Sequence, residues 1–208
     1  MALTSWYSWS FALMRGLRRG AGAKENYSLP LSDAQLGIWF AQSIDPSSPA
    51  YNLAEYLEID GSIDAALLET ALRQVVNEIE PLRVRFVSDV AGPRQIIGPA
   101  PDLSMSFIDV SGATDPQAAA EQWMNADLAK PIDLTNGQLF AYALLKVAPD
   151  RFFWYSRYHH IVMDGYCLAL IARRMADVYT ALAAGLTADA PPFSSLARLL
   201  EDDASYRA

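Results

Sequence analysis

Residues 139–165 read LFAYALLKVAPDRFFWYSRYHHIVMDG. Two apolar, aromatic-rich runs, 139–147 and 151–158, flank Ala148-Pro149-Asp150, and that spacing predicts an antiparallel hairpin. The second run ends on His159 and His160, the only two histidines of the chain, and Asp164 and Gly165 follow at once. Beyond them Leu168, Ile171, Met175, Val178, Tyr179 and Leu182 recur at helical spacing until Gly185 stops the pattern. The stretch predicts a strand, a loop and a helix, with both histidines at the corner.

Histidine is the side chain whose unperturbed pKa lets it take or give a proton near neutrality, so proton chemistry is expected at this corner. Successive strand side chains alternate faces, which allows one histidine to point inward and the other into a cleft. Asp164 has two expected uses, orienting an imidazole or holding the loop by pairing with an arginine. Gly165 is expected to permit a tight backbone at the helix start, where free N–H groups face an oxyanion. A zinc site built on His160 and Asp164 is disfavoured, because four-residue spacing converges on a helix and no third histidine completes a shell. Cys167, the only cysteine, reads as buried packing in the first turn of a helix rather than as a nucleophile. No Gly-Xaa-Ser-Xaa-Gly elbow, phosphate loop or dinucleotide fingerprint occurs.

Ahead of the corner, Ser32 and Gln35 form a capping-box pattern opening a helix over 33–42, with Leu36, Trp39 and Phe40 on one face. A strand is expected at 52–59 and a helix at 64–79, whose stripe is Leu67, Leu68, Ala71, Leu72, Val75, Val76 and Ile79. Short strands follow at 82–88, 95–98 and 104–110. Asp115 and Pro116 supply the cap and first turn of a helix reaching about residue 130, and 131–138 is loop. The order predicts an α+β sandwich, mainly antiparallel sheet with packed helices.

The chain has 208 residues, 52% hydrophobic and 19% charged, which is enough apolar material for a core. A formal charge of -8, with the first 24 residues basic and free of acid, leaves an acidic body and argues against nucleic-acid partners. The single cysteine fits a reducing cytoplasm. Residues 1–26 read as a leader, an appended extension or a docking segment anchored by Trp6, Tyr7, Trp9 and Phe11. No run approaches the ~20 apolar residues of a membrane span.

His159-His160-Ile161-Val162-Met163-Asp164-Gly165 resembles the His-His motif of nonribosomal peptide synthetase condensation domains, relatives of chloramphenicol acetyltransferase. The resemblance extends over residues 28–208. Leu31 to Trp39 is similar to the opening Ser-Xaa-Ala-Gln motif, Leu82-Arg83-Val84-Arg85-Phe86 to the second motif, and Pro131-Ile132-Asp133-Leu134 with Gly137 to the lead-in to the hairpin. Val84 stands for the second motif's threonine, and the Arg-His that opens that motif is absent.

The resemblance implies a chloramphenicol acetyltransferase-like lobe, residues 27–208, that is one half of a two-lobe domain and inactive alone. The implied reaction joins a donor acyl or peptidyl thioester to an acceptor aminoacyl thioester, both carried on the phosphopantetheine of carrier proteins, with no cofactor bound by the lobe itself. By carry-over His160 positions the amine and takes its proton, His159 and Asp164 hold the loop, and Gly165 lies near the thioester. The expected partners are the donor and acceptor peptidyl carrier proteins and the second lobe, with neither nucleic acid nor membrane. Three other readings share the motif: half of an epimerisation domain, a noncatalytic recruitment module, and a self-associating acetyltransferase that builds its site between subunits.

Overall fold

The computed structural model describes residues 27–207, so the reading of residues 1–26 lies outside the described part of the chain. In order, the elements are β1 (Tyr27–Pro30), α1 (Asp33–Ile44), β2 (Asn52–Asp60), α2 (Ala65–Glu78), β3 (Val84–Asp89) and β4 (Gly92–Ile97). They continue with β5 (Ser106–Asp109), α3 (Pro116–Leu128), β6 (Phe140–Ala148), β7 (Arg151–His159), α4 (Gly165–Ala183) and α5 (Leu196–Arg207). No helix among the described residues is long and apolar enough to cross a membrane.

The strands divide into a four-stranded sheet, β2-β7-β6-β5, and a three-stranded sheet, β1-β4-β3. The hairpin β6–β7 forms as expected, and β2 pairs with β7 in full register from Asn52 opposite His159 to Asp60 opposite Arg151. Every pairing is antiparallel except β5 with β6, which is parallel. That exception follows from connectivity. Helix α3 lies between the two strands, and a crossover of that length brings the chain back in the same direction. The expected α+β architecture with mainly antiparallel sheet stands, its strands divided between two sheets with one parallel pairing.

Both faces of the large sheet are covered, which is why β6 and β7 read as continuous apolar runs. On one face Ala143, Leu145, Phe153 and Tyr155 meet Ala120 and Met124 of α3. On the other Leu144, Trp154 and Tyr158 join the main core, built from Leu72 and Val75 of α2, Ile171 and Met175 of α4, and Phe86 of β3. Asp64, Asp115 and Asp164 cap α2, α3 and α4 with side-chain bonds to Leu67, Ala118 and Cys167 amides. Helix α4 ends in a Schellman motif: Leu186 N–H bonds Ala181 O, Gly185 N–H bonds Leu182 O, and Gly185 takes the φ of 69° that glycine tolerates best.

Two strand starts move. Leu82 and Arg83 belong to a 3-10 turn, Glu80–Arg83, begun by Pro81, so β3 starts at Val84; β4 starts earlier, at Gly92. Strand β1 and helix α5 were not expected, since each is fixed from far away. The Glu80 carboxylate accepts both Tyr27 O–H at 2.8 Å and the Leu196 amide at the first turn of α5 at 2.7 Å.

Helices α2 and α4 are tied by a buried ion pair. Arg174 donates Nε and Nη2 to the two oxygens of Glu78, both at 2.7 Å, with side chains 4% and 11% exposed, and Nη2 also reaches Asp189 O at 2.8 Å. A bidentate guanidinium to carboxylate pair satisfies the fixed fork geometry of both groups. Removing one partner strands the other charge in a nearly dry core. Glu78→Ala is expected to cost about 3–5 kcal/mol, which lowers Tm by about 10 °C in a chain of this size. Arg174→Met with Glu78→Leu should recover part of that loss, and thermal unfolding followed by circular dichroism measures both.

Candidate active site

The loop after β7 is held from three sides. His159 N–H bonds Leu139 O and His160 N–H bonds Tyr51 O, both at 2.8 Å, so the backbone of the pair is fixed to the start of β6 and the lead-in to β2. Gln35, in the capping box of α1, uses all four bonding positions of its amide. Its oxygen accepts Ser32 N–H and Gln95 Nε2, and its nitrogen donates to Gln95 Oε1 and to Ile161 O, each at 3.0–3.1 Å. One buried glutamine thereby joins the helix start, the small sheet and the histidine loop.

His159 is 1% exposed and its tautomer is determined. Nδ1 accepts the Ile161 amide at 3.2 Å, so the ring proton sits on Nε2 and is donated to Gln42 Oε1 at 3.3 Å. Gln42 confirms this from the other side, because its Nε2 faces the carbonyls of Asp45, Pro46 and Ser48 and only its oxygen is left for the ring. Burial first, and then the neighbouring charge of His160, push the His159 pKa down to about 4. It is a neutral strut.

His160, just past the end of β7, is half-buried. Its Nδ1 lies 2.7 Å from Met163 O, an acceptor only, so Nδ1 carries the proton and Nε2 is the basic nitrogen of the neutral ring. The expected split, one histidine inward and one outward, is what the structure shows.

Asp164 caps α4 through Cys167 N–H at 2.9 Å, so its carboxylate fixes the loop to the helix it precedes. Gly165 corrects the sequence reading. It is the first helical residue, it is not among the glycines with positive φ, and a Cβ there would meet nothing within 4 Å. Nothing in this lobe demands a glycine; the space beside it is open. Cys167 is buried, and burial followed by the adjacent Asp164 carboxylate raise its thiol far above the usual range, which suits packing. Val162, Met163 and Cys167 instead line a small apolar hollow with Ile79, Pro81, Ile171 and Phe193.

The lead-in to the hairpin is equally particular. Asp133 accepts from Thr135 and Asn136, chiefly the Thr135 hydroxyl, and its pKa falls to about 2. Gly137 N–H bonds Asp133 O at 2.8 Å, and a Cβ at Gly137 would lie 2.5 Å from that oxygen. There glycine is obligatory.

Gln42 was not singled out in the sequence, and Glu78 was noted only, with Asn77, as standing where the second motif usually has Arg-His. For Gln42 a signal existed: Gln35, Ile38 and Gln42 stand at i, i+3 and i+7, which puts two polar amides on the buried stripe of α1. For Glu78 none did, because Arg174 lies 96 residues away.

The Condensation domain family profile matches residues 25–207. The chain belongs to that family. It is 53% identical over 177 residues to a dimodular nonribosomal peptide synthase of Bacillus subtilis (strain 168), covering 85% of this chain and 7% of the relative. It is 46% identical over 179 residues to an isonitrile lipopeptide synthase of Streptomyces coeruleorubidus, covering 86% and 12%. Among solved structures, the starter condensation domain of rhizomide synthetase RzmA superposes with a TM-score of 0.82 and 51% identity, over 87% of this chain and 44% of that one. The chain spans about a tenth of these curated relatives and less than half of the solved condensation domain, the extent of one lobe.

The depressed His159 pKa sets a stability window. Above its ordinary value of 6.5 the ring is neutral in both folded and unfolded chains; below it the unfolded chain takes up a proton that the folded site refuses until about pH 4. Unfolding free energy from urea titrations should therefore fall by about 3 kcal/mol on this account as pH drops from 6.5 to 4. His159→Gln is expected to remove that part of the slope. An unaltered slope in the variant would assign the sensitivity to other groups.

Proposed function

We propose that this lobe supplies the reacting wall of an amide-forming acyltransferase, in which an acceptor aminoacyl thioester attacks a donor acyl or peptidyl thioester. The observation that carries the reading is the locked ring of His160. With Nδ1 donating to Met163 O, Nε2 is the acceptor of a half-buried ring, and an incoming amine would meet it there. The amine nitrogen forms the new amide bond as the donor's carbonyl–sulfur bond breaks, and the amine's proton passes to Nε2 and from there to the departing sulfur, which leaves as the thiol.

His159 and Asp164 serve this arrangement as positioning residues, one through Gln42 and the Ile161 amide, the other through the cap on Cys167. The open space at Gly165 fits a thioester drawn close to the backbone, and the first-turn N–H groups of α4 suit the oxygen of a tetrahedral intermediate. Both substrates would arrive on phosphopantetheine arms of peptidyl carrier proteins in the cytoplasm, and no cofactor is held by the lobe. The second lobe of the domain would form the facing wall, so residues 27–208 alone are expected to fold without condensing. A starter role deepens this reading, since a doubly substituted RzmA starter domain, 50% identical, has been solved in complex with C8-CoA and Leu-SNAC. By that likeness the donor here is the acyl group that begins a chain.

The test places this sequence in a complete two-lobe domain with one donor and one loaded acceptor carrier. His160→Ala is expected to lower product formation by ~100-fold or more, with Tm unchanged. Condensation at the unmutated rate would overturn the assignment. Asp164→Ala should act on Tm as well as rate, and the isolated chain should give no product.

A further inference from the structure

The bond that fixes the His160 ring spans two separate bodies. His160 is held to the large sheet by its own amide on Tyr51 O. Met163, whose carbonyl takes Nδ1 at 2.7 Å, sits one residue before Asp164, which is capped onto the first turn of α4. A hydrogen bond of that length is lost within ~1 Å of displacement, so the ring keeps its tautomer only while α4 keeps its place against the sheet.

Apolar packing does not fix that place unaided. The small hollow lies between the end of α2, at Ile79 and Pro81, and Val162, Met163, Cys167 and Ile171 of the loop and α4. Walls that face a gap forfeit part of their dispersion contact, and closing it would be favourable. Closure would carry Met163 and the first turn of α4 toward α2 and away from His160.

The buried fork stands beside this hollow. Glu78 directly precedes Ile79, and Arg174 is three residues beyond Ile171, on the same side of α4. Two parallel bonds of 2.7 Å between planar groups fix both distance and direction, and the Arg174 bond to Asp189 O adds a third point. The other polar tie between the helices is one bond, Asp64 N–H to the Tyr179 hydroxyl at 3.0 Å, at the far end of α2. Nine residues separate Arg174 from Gly165, roughly 13 Å at ~1.5 Å per residue, and a continuous helix transmits an axial shift to its first turn. We infer that Glu78 and Arg174 are positioning residues of the acyl-transfer site: their fork sets the stand-off of α4 from α2, and through it the place of Met163 O, the first-turn N–H groups and the basic nitrogen of His160.

The tie to catalysis rests on the acyl-transfer reading; the first measurement does not, because it reads the His160 ring of the full chain and no condensation. Imidazole nitrogens of the 15N-labelled chain are followed by long-range 1H–15N NMR at about pH 8.5, well above the ordinary histidine pKa. The chain has two histidines, so a His160→Gln sample assigns the signals. Glu78→Leu with Arg174→Met replaces the fork by apolar packing, and a fork that only stabilised the fold would leave His160 in its Nδ1–H form. The expected result is a mixture of both tautomers at His160, with His159 unchanged. Arg174→Lys, which keeps the charge and loses the fork, should show the same mixture to a smaller degree and serves if the double variant does not fold. In the complete two-lobe domain the double variant is expected to lower kcat by about 10- to 100-fold with KM for the carriers unchanged. A mixed His160 ring alongside a domain that makes no product even unmutated would uphold the placement and overturn the acyl-transfer reading instead. His160 kept in its Nδ1–H form in the folded variants, or condensation at the unmutated rate, would overturn the inference.

Discussion

The Ile161 amide to His159 Nδ1 bond, paired with His159 Nε2–H to Gln42, is the constraint on which the site depends. It converts a titratable side chain into a neutral, two-ended strut between a loop and a helix. The loop then has no freedom to slide along β7, because His159 and His160 amides are already bonded to Leu139 and Tyr51 carbonyls. His160 inherits its direction from this frame: with residues 159 and 161 fixed, Met163 O comes within 2.7 Å of Nδ1 and settles the tautomer. One histidine is made inert so that its neighbour can be oriented.

Such polar wiring through a core is costly unless complete, since each unmatched amide or imidazole nitrogen would forfeit its hydration. At Gln35 and Gln95 every requirement is met by reciprocal amide bonds and by Ile161 O, Pro30 O and Ser32 N–H. The Arg174 to Glu78 fork does the same between α2 and α4. These bonds add little net stability over apolar packing, but they admit one register of loop, helix and sheet. Apolar contacts such as Trp39 on Phe86 tolerate small shifts that a glutamine bonded on four sides does not.

What was legible in the sequence was local. The hairpin, the Asp115 cap, the Ser32 and Gln35 box and the Gly185 stop are decided by neighbours within a few residues, and all appear where spacing placed them; the caps by Asp64 and Asp164 were not read. The difference in burial between His159 and His160 was expected from the alternation of side chains at a strand's end. Contacts across long separations were not legible: the parallel pairing of β5, the Glu80 carboxylate under α5, Gln42 beneath His159. Gly165 was read as a backbone requirement, whereas the backbone there is ordinary and the open space is what matters, a property visible only with the surroundings in place.

On the proposed acyl-transfer reading, the geometry also bears on how much of the catalysis would fall to proton transfer. A half-buried imidazole whose Nδ1 is committed to Met163 O would take an amine's proton at Nε2, an effect typically of ~100 to 10,000-fold. Holding two tethered reactants at attack distance contributes as much or more, through effective molarities of ~10⁵ M and above. In this lobe the second effect has more structure devoted to it. Gln35, Gln42, His159, Tyr51 and Asp164 all act on where the loop lies, while one contact, Met163 O on Nδ1, acts on which nitrogen is basic. A loop so strongly fixed on one side has use only if the opposite boundary is equally fixed, so placement of the second wall, more than the basicity of His160, would govern the rate.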